Sequence, residues 1–83
     1  MLRIIYYTKQ NCSLCDNARA LLGMLQNEYA FDIEERDIYT NDDWLEKYQL
    51  LIPCVQIGDM YLDCEHMDLP HLEQAIQAYS QTT

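Results

Sequence analysis

Leu2 to Thr8 (LRIIYYT) is apolar on both alternating faces and rich in β-branched and aromatic residues, the pattern of a strand covered on both sides of a sheet. Beyond Cys12 the period changes. Leu14, Ala18, Leu21, Leu22, Leu25 and Tyr29 recur at helical spacing, with Asp16, Asn17, Arg19 and Gln26 on the other face. This predicts an amphipathic helix over Ser13 to Tyr29. Gly23 within it costs up to about 1 kcal/mol relative to Ala, so close packing is expected at that position.

Phe31, Ile33 and Ile38 punctuate a charged stretch with partial alternation, as in a strand with one exposed face. Thr40 or Asn41 can cap a short helix through Tyr48, because Asp42 and Asp43 then occupy its first turn, where negative charge is favoured. Trp44, Leu45 and Tyr48 would face inward. After Pro53, the runs CVQI and MYL separated by Gly58-Asp59 read as a hairpin. Leu69, Leu72, Ala75, Ile76 and Tyr79 then form a helical stripe to the C-terminus, with Pro70 suited to its first turn. The order is β-α-β-α-β-β-α, without internal repeats. Two strands joined through a helix run parallel, so the expectation is an α/β fold with a four-stranded mixed sheet flanked by three helices.

Eighty-three residues support one core, and a single domain over 1–83 is expected. With 49% hydrophobic and 23% charged residues, two Gly and two Pro, the composition is that of an ordered globular chain, with disorder expected only in the tail Ser80 to Thr83. The net charge of -9 is uneven. Residues 1–27 carry Arg3, Lys9 and Arg19 against Asp16, a balance of +2, which leaves -11 for residues 28–83. Such a field argues against nucleic acid, whose binding relies on Lys and Arg neutralising phosphates. The apolar start is broken by Arg3 and runs into polar Thr8 to Asn11, unlike a signal peptide, and no apolar run reaches the roughly 18 residues of a membrane span. A soluble, cytoplasmic monomer is the expectation. In a reducing compartment the four cysteines point to redox catalysis or metal binding rather than structural staples.

Cys12-Ser13-Leu14-Cys15 stands where the first strand gives way to the first helix. Cys12 should therefore lie at a helix N-terminus, where free N–H groups, the helix dipole and Lys9 favour a thiolate. Cys12 is the candidate nucleophile. Cys15, one turn further on, is the candidate resolving thiol that attacks the mixed disulfide formed by Cys12. A structural zinc site with the same Cys spacing normally needs a second close pair of ligands, and Cys54 and Cys64 are ten residues apart. A metal-binding module using Cys12, Cys15 and Cys54 remains an alternative, as does a redox-inert interaction module. Cys54 is either a buried strand residue or a third redox thiol, and Cys64 is expected to be more exposed. His66 and His71, for which no partner at matching spacing is evident, read as surface residues. Asp16 should raise the pKa of Cys15 unless Arg19 neutralises it.

Tyr7-Thr8-Lys9, Cys12-Ser13-Leu14-Cys15-Asp16, the helix that follows and Ile52-Pro53 ahead of a hairpin together resemble the glutaredoxins, especially the small bacterial glutaredoxin-like proteins with a Cys-x-Leu-Cys-Asp signature. The resemblance covers nearly the whole chain. It implies a thioredoxin-like fold with a cis Ile52–Pro53 bond facing the dithiol, and disulfide-containing proteins or small thiols as substrates. Ile52 would offer its N–H and C=O to a substrate strand, and Lys9 would serve the thiolate or a glutathione carboxylate. No bound cofactor or metal is expected, and the reductant is unidentified. Glutathione is the co-substrate the family implies, but Asp63 and Cys64 stand where many glutathione-using members carry a Gly-Gly pair. Their side chains and negative charge weigh against efficient glutathione binding.

Overall fold

The computed structural model describes residues 2–80. Of the tail expected to be disordered, Ser80 is instead the last residue of a helix, and residues 81–83 lie outside the described residues, as does Met1. Strand β1 (Leu2–Thr8) leads through Lys9 to Cys12 into helix α1 (Ser13–Gln26), and strand β2 (Phe31–Asp37) follows. A 3-10 turn (Ile38–Thr40) precedes helix α2 (Asp42–Tyr48). The hairpin β3 (Cys54–Ile57) and β4 (Met60–Leu62), a second 3-10 turn (Cys64–His66) and helix α3 (Leu69–Ser80) complete the described chain.

The sheet order is β2-β1-β3-β4. β1 and β2 are parallel, as their helical crossover requires, whereas β1 with β3 and β3 with β4 are antiparallel. The expected mixed sheet forms. β1 is central, and its alternation sends Ile4 and Tyr6 into one core and Tyr7, flanked by Ile5, into another. The larger core sets Ile4, Tyr6, Val55 and Ile57 against Ala18, Leu22 and Leu25 of α1 and Leu72, Ala75 and Ile76 of α3. Each fully buried Leu, Ile or Val there stabilises by about 1.5–3 kcal/mol. The smaller core gathers Tyr7, Ile38, Tyr48 and Cys54 beneath α2, with Trp44 and Leu45 half-buried at its edge.

Local chemistry sets most boundaries. Asn41 caps α2 by accepting from the N–H groups of Asp43 (2.9 Å) and Trp44 (3.3 Å). Gly58 turns the hairpin with φ +59°, and a Cβ there would run into the Tyr79 ring. The Tyr79 hydroxyl in turn accepts from the Asp59 N–H at 3.1 Å, tying the hairpin to α3.

Three expectations are corrected. Helix α1 stops at Gln26 rather than Tyr29, because Asn27 and Glu28 donate to the carbonyls three residues back and tighten the last turn. Tyr29 still joins the packing from outside the helix and accepts from Gln77 Nε2 at 2.8 Å. Gly23 marks no close approach, since an added Cβ would meet Arg19 at an ordinary 3.5 Å. Arg19 itself pairs with Glu35 at 3.3 Å, across to β2, rather than with Asp16.

Candidate functional site

β1 ends at Thr8, and Asn11, with φ 56°, turns the chain so that Cys12 becomes the N-cap of α1. Asparagine is among the side chains that tolerate this left-handed backbone. Cys12 is joined to Cys15 by a disulfide. Its Sγ also accepts from the Cys15 N–H at 3.1 Å, so the first sulfur takes the place of a capping oxygen. The two sulfurs are not equivalent. Cys12 is half-buried, whereas Cys15 is 1% exposed within the larger core. Tyr6, also buried, donates its hydroxyl to the Cys15 carbonyl and pins that first turn of α1 to β1. Burial raises the Tyr6 pKa, which keeps the donor protonated.

Lys9 is exposed beside the dithiol loop and lines an open cavity of about 450 Å³ with Gln10, Asn11, Asp37 and Tyr39. Asp37 caps the turn carrying Tyr39 by accepting from its N–H at 2.9 Å. Sequence periodicity gave no sign of Tyr39 here, because only the 3-10 turn brings it beside Lys9.

The Ile52–Pro53 bond is cis. β1 pairs with β3 through Tyr7 opposite Cys54, and one further step of that register puts Pro53 against Thr8, at the end of β1 that enters the dithiol loop. Cys12 and Ile52 both pack against the larger core. The fold thus gathers Lys9, Cys12, Cys15, Ile52 and Pro53 at one end of the sheet. One expectation changes: the Ile52 N–H is not free for a substrate strand, because it donates to the Tyr48 carbonyl at 3.1 Å where the chain leaves α2. The Leu51 N–H shares that carbonyl at 2.8 Å, and the Leu51 carbonyl accepts from the Cys64 N–H at 3.0 Å.

On the other side of the proline, Cys54 is buried beside Tyr7 and Tyr48. Burial, followed by the charges of Asp63 and Cys64, pushes its thiol up to about 11. Burial and Tyr7 also raise Tyr48, whose ring stacks on Tyr7 at 3.9 Å. A second cavity of about 290 Å³ opens above Cys54, walled by Tyr48, Leu51 and Tyr61, with Lys47, Asp63 and His66 at its polar side. Lys47 Nζ lies 5.3 Å from the centroid of Tyr48 and 5.5 Å from that of Tyr61. Cys64 is exposed.

Asp63 has an occupation of its own. One carboxylate oxygen accepts from the Glu65 N–H at 3.0 Å, capping the turn Cys64–His66, and meets His66 Nδ1 at 2.9 Å. This contact holds the Asp63 carboxyl below its ordinary range and raises His66. Asp68 likewise meets His71 Nδ1 at 2.7 Å and accepts from the His71 N–H at 2.9 Å, which holds the Asp68 carboxyl below its ordinary range. Both histidines therefore have carboxylate partners three residues earlier, contrary to the expectation that no partner stood at matching spacing. Among the described residues, no group of three or more His, Cys, Asp and Glu side chains gathers to hold a metal ion, so Cys12, Cys15 and Cys54 do not form such a set. Among the same residues, no helix is long and apolar enough to cross a membrane.

The fold is shared with solved structures. It matches the oxidised thioredoxin from Plasmodium falciparum at 17% identity and a TM-score of 0.65, over 95% of this chain and 81% of that one. A malarial protein matches at 14% identity and a TM-score of 0.63, over 94% of this chain and 96% of that one. Likeness at such low identity establishes the thioredoxin-like fold alone. Residues 3–77 match the family model described as Glutaredoxin-like domain (DUF836). With a Cys-x-x-Cys disulfide capping the first helix and a cis proline at the same end of the sheet, the chain belongs to the glutaredoxin-like domain family.

Proposed function

We propose that this chain is a thiol–disulfide oxidoreductase that reduces disulfides through Cys12 and Cys15. The observation that carries the reading is the asymmetry of the pair: the N-capping sulfur of half-buried Cys12 is joined to that of Cys15, held in the core. In the reduced protein, helix N–H groups favour the Cys12 thiolate. That thiolate attacks a substrate disulfide R–S–S–R′, forming the Cys12–S–S–R bond and releasing R′–S⁻. Cys15, deprotonated, then attacks Cys12 Sγ, closing the Cys12–Cys15 bond and expelling R–S⁻. Two electrons pass from the dithiol to the substrate, and an external thiol or reductase must return them.

Lys9 stands beside the site to steer an anionic group or the thiolate. Pro53 and the Ile52 carbonyl form the side against which a substrate chain lies, and pairing with the Ile52 N–H requires its release from Tyr48. We further propose a monomer acting in the cytoplasm on disulfide-containing proteins or small disulfides. Glutathione is a weak co-substrate in this reading, because Asp63 carries negative charge and a side chain where many family members have glycine.

Equilibration in defined redox buffers, followed by thiol trapping and mass spectrometry, tests the reading. A reversible Cys12–Cys15 bond with a potential of roughly -270 to -200 mV is expected, and Cys15→Ser should trap substrate on Cys12. A chain that never forms the bond, or Cys12→Ser protein that still reduces disulfides at the parent rate, would overturn it.

A further inference from the structure

Asp63-Cys64-Glu65-His66 and Asp68-Leu69-Pro70-His71 repeat one local device, an aspartate followed three residues later by a histidine whose Nδ1 it holds. The two carboxylates are themselves fixed, Asp63 by the Glu65 N–H at 3.0 Å and Asp68 by the His71 N–H at 2.9 Å. The imidazoles stand next to each other, with ring centroids 5.3 Å apart. Each side chain is about half exposed, 51% for His66 and 49% for His71. With Nδ1–H committed to a carboxylate, the nitrogen left with a free lone pair in each neutral ring is Nε2.

We propose that His66 and His71 together form a surface site for one divalent transition-metal ion of the imidazole-preferring class, zinc, nickel or copper(II), with Asp63 and Asp68 as the carboxylates that orient them. The pattern is the carboxylate–histidine–metal arrangement, in which the outer carboxylate sets the tautomer and increases the basicity of the ligating nitrogen. The ring spacing agrees with it: two imidazoles bound at about 2.0–2.1 Å to a tetrahedral ion have centroids roughly 5 Å apart. Imidazole nitrogen suits this metal class over magnesium or calcium, which take oxygen ligands. Because no group of three or more ligating side chains gathers among the described residues, water completes the coordination shell and the affinity is modest. The segment from residue 28 to residue 83 carries a net charge of -11, and a bound cation there meets a favourable field.

The test is independent of the dithiol. Protein with the Cys12–Cys15 bond closed and the substitution Cys64→Ser, which removes the exposed free thiol, is titrated at pH 7.5 with Zn²⁺, Ni²⁺ and Cu²⁺ by calorimetry, with histidine ring resonances followed by NMR. Expected is one ion per chain for at least one metal, with shifts confined to His66 and His71. His66→Gln and His71→Gln should each abolish binding, and Asp68→Asn should weaken it about 10–100-fold. Circular dichroism checks that each variant keeps the fold, and disulfide reduction by His66→Gln in the Cys64→Ser background should match the Cys64→Ser parent. Undiminished binding in the His66→Gln, His71→Gln double variant, or no stoichiometric binding of any of the three ions, overturns the proposal.

Discussion

Cys12 and Cys54 lie at the same end of one sheet, yet their surroundings make opposite demands on sulfur. Cys12 caps a fourteen-residue helix, is half-buried, and accepts a backbone N–H. Cys54 sits in β3 beneath stacked tyrosines, caps no helix N-terminus, and has its thiol held protonated up to about pH 11. The difference teaches that a cysteine becomes a reagent through unpaired backbone dipoles and access, and a core residue through their absence. In the proposed mechanism the dithiol loop carries the chemistry, and the tyrosine cluster beside it carries a share of the stability.

The largest expected effect separates the two sulfurs directly. Cys12→Ser should reduce disulfide reduction to the uncatalysed background, whereas Cys54→Ala should leave the rate within about twofold, under about 0.5 kcal/mol of barrier. Stopped-flow reduction of a model disulfide distinguishes them, and a comparable loss in both variants would place Cys54 among the redox thiols. Stability should respond the other way round. Tyr48→Ala, which removes the ring stacked on Tyr7, should cost about 3–5 kcal/mol in urea unfolding.

The comparison also has a pH signature. The Cys54 thiol has a raised pKa in the folded chain, about 11 against a reference of 9.0. Its contribution to stability is therefore complete below pH 9. Between pH 9 and 11 the unfolded chain releases the proton while the folded chain retains it, so stability should fall by about 2–3 kcal/mol. The raised tyrosines Tyr6 and Tyr48 act in the same direction at higher pH. In Cys54→Ala the fall between pH 9 and 11 should be shallower, as denaturant melts across that range would record. The smallest effect belongs to Leu14, which lies between the two disulfide-bonded cysteines but is 64% exposed. Leu14→Ala should change stability by less than about 0.5 kcal/mol, so any effect it has on turnover would report contact with substrate.

The dithiol end was legible in the sequence because each of its determinants is local. The two-sided apolar run makes β1, the stripe from Leu14 to Leu25 makes α1, and the junction between them makes Cys12 a cap. Pro53 could be placed opposite the dithiol only through the family resemblance, since nothing local distinguishes a cis from a trans proline. The bond from Tyr6 to the Cys15 carbonyl joins residues nine apart on two elements and has no local pattern. The commitment of the Ile52 N–H to Tyr48 depends on how tightly the chain leaves α2. Asp63–His66 and Asp68–His71 did carry a signal, Asp at i and His at i+3 twice within nine residues, that a search for thiol or histidine ligands alone passes over. Arg19 had two acids to choose between, and only the parallel pairing of β2 beside β1 brings Glu35 to it in preference to Asp16.

Trp44 is the sole tryptophan in the chain. It stands edge-on to Tyr7 at 6.2 Å and under the Arg36 guanidinium at 5.0 Å, on the strand-end cluster next to the dithiol loop. Because one indole is the only such fluorophore, light emitted from this position serves as an internal gauge of the β1 terminus. A change in its intensity or wavelength when the Cys12–Cys15 bond opens would follow the redox cycle in real time, with no added label.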